Sequence, residues 1–295
     1  MGFIASCRYG IGEKLREDVI GRVSFANCDP LFHELGGHWR ILPAPPSWLT
    51  GHLLRGECLI APIPLADFVK NIDSLQAIDS IGIASDGGVG SVLLFGNRPI
   101  DEMRDIAVPT DSSTSRTLLP WLLSRRGRKP RLIEMGPDLE SMLARCDGAL
   151  IIGDRAIDEA DINPNLIRMD LGAEWLNQTG LPMVFGVFCA RKDTDSSAIK
   201  RAVSALQENL DRFENDEIHR SRVIEASSDR TRFSIERISH YFQSEVRNRL
   251  KEKDRESMTL FAEQVCGYEE SVPWWDDNHD SSSNPEPVSR RRASS

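Results

Sequence analysis

The sequence lacks the features that mark membrane, secreted and nucleic-acid-binding proteins. None of its apolar runs reaches the length of a membrane-spanning helix, and its N-terminal stretch has neither a continuous apolar region nor a clear cleavage site. It also has no excess of positive charge, since 36 lysines and arginines stand against 45 aspartates and glutamates and leave a net charge of −9. Sequence-independent binding of nucleic acid needs a basic face. We therefore expect a cytoplasmic protein that binds neither nucleic acid nor membranes.

Spacings typical of metal centres, disulfide frameworks and hydrolytic triads are missing as well. The six cysteines stand singly, and no two of them have zinc-ribbon or redox spacing. The histidines show no metal-ligand spacing, and no segment has the pattern of a nucleophile elbow. The cysteine pattern favours a reduced compartment, and we expect no metal site.

What the sequence does contain is a regular alternation of strand-like and helix-like segments. Runs such as RVSFA, HWRILPA, GSVLLFG, GALIIGD and PMVFGVFCAR are strand-like, and segments with helical patterning separate many of them. Strands that alternate with helices predict an α/β fold with a parallel or mixed sheet covered on both faces. A length of 295 residues suggests about two domains. We expect two lobes with a ligand cleft between them.

The predicted domain boundaries place these two lobes between polar termini. Residues 1–19 form a predicted N-terminal extension, residues 20–98 together with 184–268 the first lobe, and residues 99–183 the second lobe. Residues 269–295 are polar and rich in proline and serine, so we expect a disordered tail in which Trp274 and Trp275 are exposed. The alternative is that these tryptophans dock on the body of the protein or on a partner.

The stretch SFANCDPLF, residues 24–32, places polar side chains directly after a strand-like run. If RVSFA is a strand and a helix begins near Pro30, then Asn27 and Asp29 lie at the carboxyl end of that strand, where open α/β sheets bind their ligands. We expect Asp29 to cap the following helix. Asn27 cannot act as a base at neutral pH, but its amide can both donate and accept hydrogen bonds.

The stretch DSSTSRT, residues 111–117, follows another strand-like run and opens a helix. A helix N-terminus presents free N–H groups to anions, and four consecutive hydroxyl side chains, at residues 112–115, converge on this one. We interpret it as a cradle for a carboxylate or phosphate, with Arg116 available for a charged contact. The alternative is an ordinary N-cap with additional serines. Pro120 falls inside this helix and is expected to kink or locally break it.

Two further turns carry candidate site residues. Three glycines between residues 87 and 90 precede Ser91, and they either let the backbone approach a ligand or form a flexible turn. Gly153 and Asp154 follow a buried strand-like run. Asp154 is placed either to contact a ligand or to cap the next helix.

Taken together and in this order, these segments resemble a known enzyme family. The stretches GRVSFANCDPLF, GGVGSVLLF, SSTSRTLL, ALIIGD and DLGAEWLNQTGLPMVFGVF are similar to those of the chorismate dehydratases of the futalosine route to menaquinone. The resemblance spans about residues 21–188, with weaker helical similarity to about residue 266. It implies the type II periplasmic-binding-protein fold, in which two α/β lobes surround a cleft.

The resemblance also implies roles for particular residues. Asn27 matches the key catalytic position of the family, and Ser91 matches a serine that contacts the substrate. Ser113, Thr114 and Ser115 match the helix start expected to bind a substrate carboxylate. From the position of their segments alone, we expect Arg116, Gly153 and Asp154 to contact the substrate as well. Three positions depart from the family pattern: Gly88 stands where proline is usual, Asp29 stands where leucine is frequent, and Pro120 is unusual.

The reaction implied by the resemblance is the loss of water from chorismate to give 3-[(1-carboxyvinyl)oxy]benzoate, which would make the chain a hydro-lyase. Formation of the aromatic ring drives this reaction, so it demands neither a redox cofactor nor a metal. Because no motif residue is an obvious base, we hypothesise that the enolpyruvyl carboxylate of the substrate takes the proton from C3. The alternatives are a solute-binding protein of the same fold, a dihydroxynaphthoate synthase, and the effector-binding domain of a regulator.

Overall fold

The strands of the protein form two separate mixed sheets. The computed structural model describes residues 15–275. Its strands are β1 (Val19–Val23), β2 (Arg40–Ala44), β3 (Ile60–Pro64), β4 (Leu75–Ser85), β5 (Val92–Gly96), β6 (Asp105–Pro109), β7 (Arg131–Met135), β8 (Gly148–Ile152), β9 (Ile167–Asp170), β10 (Met183–Arg191) and β11 (Arg247–Arg249). The first sheet has the order β11-β4-β10-β3-β1-β2 and the second the order β7-β6-β8-β5-β9. We call the parts of the chain built on them the first and the second lobe.

Each sheet combines parallel and antiparallel pairs. In the first sheet β1 is parallel to β2 and β3, whereas β10 is antiparallel to both β3 and β4. In the second sheet β6 is parallel to β7 and β8, whereas β5 is antiparallel to β8 and β9. All five residues of β3, β5 and β8 are buried, as expected of strands covered on both faces. The predicted two-lobed α/β fold is therefore confirmed.

Strand β5 corrects the predicted boundary between the lobes. The sequence placed it in the first lobe, which was to end at residue 98, but β5 pairs with β8 and β9 of the second sheet. Consecutive strands joined by a short turn usually pair with each other. Here the turn over residues 86–91 instead carries the chain from one sheet to the other, with Gly90 at φ +63°. The return crossing follows at residues 180–182, between Thr179 and Met183.

Helices cover the sheets, and the longest ones follow β10. They are α1 (Asp29–Phe32), α2 (Pro46–Leu54), α3 (Leu65–Lys70), α4 (Ser113–Arg125), α5 (Leu139–Leu143), α6 (Asp154–Ile162), α7 (Leu171–Thr179), α8 (Ser196–Asn215), α9 (Glu217–Thr231), α10 (Ile235–His240) and α11 (Glu252–Gln264). Among residues 15–275, no helix has the length and apolar character needed to cross a membrane.

Helix α4 continues through Pro120 without interruption, so the predicted local break is absent. Proline cannot donate the hydrogen bond that would close this turn of the helix. However, the leucines on either side of it, Leu118, Leu119, Leu122 and Leu123, are fully buried. Their packing holds the helix together, because most helical stability in proteins comes from tertiary contacts.

Part of the predicted disordered tail is packed against the first lobe. Trp274 forms a parallel bridge with Ala77 of β4, and the Trp275 N–H donates to the Ala77 carbonyl at 2.8 Å. The indole N–H of Trp275 also donates to Ser196 Oγ at 3.0 Å. The prediction that both tryptophans are exposed is therefore wrong, because they supply backbone hydrogen bonds and apolar area to β4. Residues 276–295 of the predicted tail, and residues 1–14 of the predicted extension, lie outside the described residues.

A buried histidine makes the stability of the first lobe depend on pH. His219 on α9 is 1% exposed, and neither ring nitrogen has a hydrogen-bond partner. Burial lowers the pKa of His219 from its ordinary value of 6.5, and the neighbouring Arg212 and His33 lower it further. Below pH 6.5 the unfolded chain therefore binds a proton that the folded chain does not, and folding is penalised as the pH falls.

We expect the free energy of unfolding to fall between pH 7.5 and pH 5.5, and to fall less in the variant His219→Leu. The measurement is urea unfolding followed by circular dichroism at both pH values. The matched control is His38→Leu, which replaces an exposed histidine and should leave the pH dependence of the wild type in place. An identical loss of stability in the His219 variant would contradict this assignment.

Candidate active site

A cleft between the two sheets contains most of the polar residues that the sequence singled out. It encloses a cavity of about 60 Å³. The polar side chains that line it are Asn27, Ser91, Ser112, Thr114 and Ser115. The rest of the lining is mostly proline, aliphatic and phenylalanine side chains from both lobes. The cleft thus combines a few convergent polar groups with apolar walls, as small-molecule sites do.

Asn27 contributes an amide that is free to bind a ligand. It lies in a single 3₁₀ turn, Ala26–Cys28, that follows β1. The residue is 8% exposed, and its Oδ1 atom has no hydrogen-bond partner among the described residues. Its backbone carbonyl accepts a hydrogen bond of 2.9 Å from Nδ2 of Asn248. Since buried polar atoms are normally paired, an unpaired amide oxygen facing a cavity indicates a place for a ligand group.

Ser91 lies opposite, in the second lobe, as the residue before β5. Its Oγ accepts a hydrogen bond of 3.0 Å from the hydroxyl of Tyr241, and its carbonyl accepts one of 2.7 Å from the N–H of Gly153. Gly153 has φ +66° and ψ −151°, a conformation that side chains other than glycine avoid. A Cβ atom there would lie 2.6 Å from the ring of Phe25. Glycine at this position therefore lets Phe25 of the first lobe close over the second.

The N-terminus of α4 presents two serines to the cleft and turns two predicted site residues away from it. Ser112 and Ser115 both line the cavity, and Ser112 Oγ donates to Ser115 Oγ at 2.8 Å. Ser113 and Arg116 line a separate surface depression, where Arg116 pairs with Glu134. Residues three apart on a helix share a face, and Ser113 and Arg116 share the one turned away from the cavity. Ser113 and Arg116 are therefore not brought into the cleft, and the serine that sequence reasoning missed is Ser112.

Thr114 and Asp154 connect the lobes instead of offering free groups to a ligand. The Thr114 hydroxyl donates to the Phe185 carbonyl at 2.9 Å and accepts from the Ala66 N–H at 3.2 Å, both in the first lobe. The Asp154 carboxylate accepts from the N–H of Ala26 at 2.9 Å, and burial raises its pKa. Asp154 does not line the cavity, and the N-cap of α6 is Gly153. Both residues hold the lobes in a closed arrangement.

Asp29 does not cap α1 as expected. The N-cap of that helix is Cys28, and no side chain bonds to its first turn. The Asp29 carboxylate instead pairs with Arg22 and Arg230, and it accepts a hydrogen bond of 2.7 Å from the Ser227 hydroxyl. Two guanidinium groups compete more strongly for a carboxylate than a backbone N–H does. Asp29 thereby turns away from the cavity that Asn27 faces.

Ionisable side chains are absent from the described lining of the cleft. A nearby cation is Arg155, whose guanidinium lies 5.8 Å from the ring centroid of Phe25 and pairs with Asp111. Over residues 15–275, no three His, Cys, Asp or Glu side chains are grouped so that they could hold a metal ion. The chemistry available to the lining is therefore hydrogen bonding by amide, hydroxyl and backbone groups, together with the dipole of α4.

Two further residues support the site and have no signal in the sequence. Tyr241 and Asn248 follow α10, more than 140 residues from Ser91 and more than 200 from Asn27, and they belong to no motif. Their hydrogen bonds form only when the last third of the chain packs against the cleft. One isolated tyrosine and one isolated asparagine in a helical region gave no reason to select them.

Comparison with known proteins adds three findings. A family model described as menaquinone biosynthesis matches residues 19–266. The chain is 33% identical over 268 residues to the chorismate dehydratase of Thermus thermophilus, covering 84% of this chain and 95% of that protein. Among solved structures, a protein of Archaeoglobus fulgidus superimposes with a TM-score of 0.67 at 16% identity, covering 84% of this chain and 96% of the other.

The fold is also that of binding proteins. The periplasmic aliphatic sulphonate binding protein of Escherichia coli superimposes with a TM-score of 0.58 at 16% identity. The match covers 86% of this chain and 89% of that protein. At this identity the likeness concerns the fold alone.

Proposed function

The chain belongs to the menaquinone biosynthesis family, and on that premise we propose that it is a chorismate dehydratase, a hydro-lyase that converts chorismate to 3-[(1-carboxyvinyl)oxy]benzoate and water. The observation that carries the proposal is the position of Asn27. Its buried amide oxygen has no partner and faces a cavity shared with Ser91. The family resemblance assigned these same two residues to catalysis.

The neutral lining of the cleft supports a reaction in which the substrate supplies the base. The described lining has no carboxylate, imidazole, thiol or amine, so a general base within hydrogen-bond reach has to come from elsewhere. The enolpyruvyl carboxylate takes the proton from C3, and the C3–H electron pair forms the new bond between C3 and C4. The C4–O bond breaks, and the hydroxide takes up the proton and leaves as water. No oxidant or reductant is needed, since a proton and a hydroxide leave together as water, and formation of the aromatic ring drives the reaction.

The residues of the cleft orient the reacting groups and stabilise charge. Nδ2 of Asn27 donates to the reacting carboxylate and Oδ1 accepts from the C4 hydroxyl, so that a single amide fixes both groups in reactive geometry. The hydroxyl of Ser91 donates to the leaving oxygen, on which negative charge develops. Ser112 and Ser115, at the N-terminus of α4, receive the ring carboxylate, where the helix dipole favours an anion.

Substrate binding requires the lobes to separate. A cavity of about 60 Å³ has room for only a few water molecules, whereas ligand sites usually measure about 300–1,000 Å³. The contacts of Thr114 and Asp154 across the cleft hold the closed arrangement. Chorismate enters when these contacts break, and closure around it then excludes water from the elimination.

A cytoplasmic location is part of the proposal. Cys28, Cys58, Cys146, Cys189 and Cys266 are all free thiols, which supports a reducing compartment.

The experiment that tests the proposed function is direct incubation of the purified protein with chorismate. The products are separated by chromatography and identified by mass, with chorismate incubated alone as the control for spontaneous decay. We expect a product lighter than chorismate by one water that co-elutes with 3-[(1-carboxyvinyl)oxy]benzoate. Chorismate that stays intact but raises the melting temperature would contradict the dehydratase and indicate a binding protein.

A further inference from the structure

We propose that Tyr241 and Asn248, on one segment after α10, are positioning residues that hold Ser91 and Asn27 in their reactive orientations. The inference rests on the proposed function, since it concerns the two residues assigned to that reaction. The segment comprises a π-helical turn, Tyr241–Glu245, and β11, Arg247–Arg249. Rare π-helical turns occur frequently at functional sites.

Tyr241 determines which way the proton of Ser91 points. Tyr241 is 1% exposed. Among the described residues its hydroxyl makes one hydrogen bond, of 3.0 Å, to Ser91 Oγ. If Ser91 donated this bond, the phenolic proton would be buried without a described acceptor, which is costly. Tyr241 therefore donates, and the proton of Ser91 is left free to point into the cleft. Burial raises the pKa of Tyr241 well above that of a free phenol, so it remains a donor at neutral pH.

Asn248 fixes the backbone that carries Asn27. It is 3% exposed, and its Nδ2 donates both of its hydrogens, at 2.9 Å to the Asn27 carbonyl and at 3.0 Å to the Gly82 carbonyl of β4. These two bonds connect the 3₁₀ turn of Asn27 to the first sheet. With its backbone held in this way, Asn27 directs its Cα–Cβ bond toward the cleft from a fixed position.

The π-helical turn also explains the glycine that precedes Ser91. A Cβ atom at Gly90 would lie 2.4 Å from the carboxylate of Glu245, which is held by Arg237 at 2.9 Å. Glycine at this position accommodates the φ of +63° and leaves room for the Glu245 side chain of the turn that carries Tyr241. The two segments are therefore matched in shape as well as joined by a hydrogen bond.

The test is the isosteric variant Tyr241→Phe, which keeps the buried ring and removes the hydroxyl. We expect kcat for chorismate dehydration to fall about tenfold, the effect of losing about 1.4 kcal/mol in the transition state, with KM changed by less than about threefold. The matched control is Tyr268→Phe, which removes a hydroxyl from a partly exposed tyrosine near the end of α11 and should leave kcat unchanged.

A double-mutant cycle with Ser91→Ala separates positioning from a general structural role. If Tyr241 acts through Ser91, then Tyr241→Phe has no further effect on kcat in the Ser91→Ala background. Equal factors in both backgrounds would overturn the role of Tyr241. Asn248→Ala, provided that it folds, should lower kcat in the wild type and have a smaller effect in an Asn27→Ala background.

The wild-type assay distinguishes failure of this inference from failure of the proposed function. A wild-type protein that leaves chorismate unchanged would overturn the proposed function and the inference with it. A wild-type protein that turns over chorismate, with Tyr241→Phe equally active, would overturn the inference alone.

Discussion

Replacement of Asn27 by aspartate is expected to lower kcat for chorismate dehydration by about 10²–10³-fold, the loss seen when one hydrogen-bond donor is removed from a charge-stabilising site. The variant keeps the size and shape of the side chain but loses both N–H donors. It also places a negative charge in a cleft whose described lining carries no cation. A dianionic substrate is then repelled from the place where its carboxylate was held.

The folded state should tolerate this change, because the amide makes no side-chain hydrogen bond to the protein through Oδ1. The measurements are kcat and KM by product chromatography, together with the melting temperature. Asn215→Asp, the same chemical change at the exposed end of α8, is the control and should retain full activity. Near-normal turnover by the Asn27 variant would contradict the role given to this residue.

Replacement of Asp29 by alanine is expected to reduce the free energy of unfolding by about 3 kcal/mol, since removing one partner of a buried ion pair leaves the other charge uncompensated. The Asp29 side chain is 8% exposed, and its oxygens accept hydrogen bonds from Arg22, Arg230 and Ser227. These contacts attach α9 to the segment that carries Asn27. The cost lies near the lower end for buried pairs because Arg22 and Arg230 keep some contact with water.

The measurement for the Asp29 variant is urea unfolding at pH 7.5. The matched control is Asp193→Ala, which removes an exposed carboxylate paired with Arg191 and should cost less than about 1 kcal/mol, as surface pairs do. Equal losses in the two variants would show that the Asp29 cluster is no stronger than a surface ion pair.

The fold and the central part of the site could be predicted from the sequence because both depend on local patterns. Alternating strands and helices gave the α/β lobes, and a polar residue after a strand gave Asn27. The position of β5 could not be predicted in this way. A six-residue turn can join two strands of one sheet or two strands of different sheets. Which of these occurs depends on the strands with which β5 can pair, and the turn itself does not show this.

The α4 residues show a limit of a different kind. A run of hydroxyl side chains at a helix start indicates an anion site. However, only the side chains on one face of the helix can point into the cleft. Ser112 and Ser115 therefore meet the cleft, whereas Ser113 and Arg116 meet Glu134 and solvent. Thr114 lines the cleft as predicted, yet its hydroxyl is already engaged by backbone groups of the other lobe. A local sequence motif does not show that backbone groups distant in the chain will occupy one of its hydroxyls.

The central place of β10 in the first sheet has a consequence for how the protein is made. Because β10 fills the gap between β3 and β4, the first sheet stays split until residue 191 has emerged from the ribosome. The second lobe has all five of its strands between residues 92 and 170, so it can fold while the ribosome is still adding residues. Until β10 arrives, the edges of β3 and β4 remain open to other chains. During synthesis the first lobe is thus the half that begins earlier and finishes later.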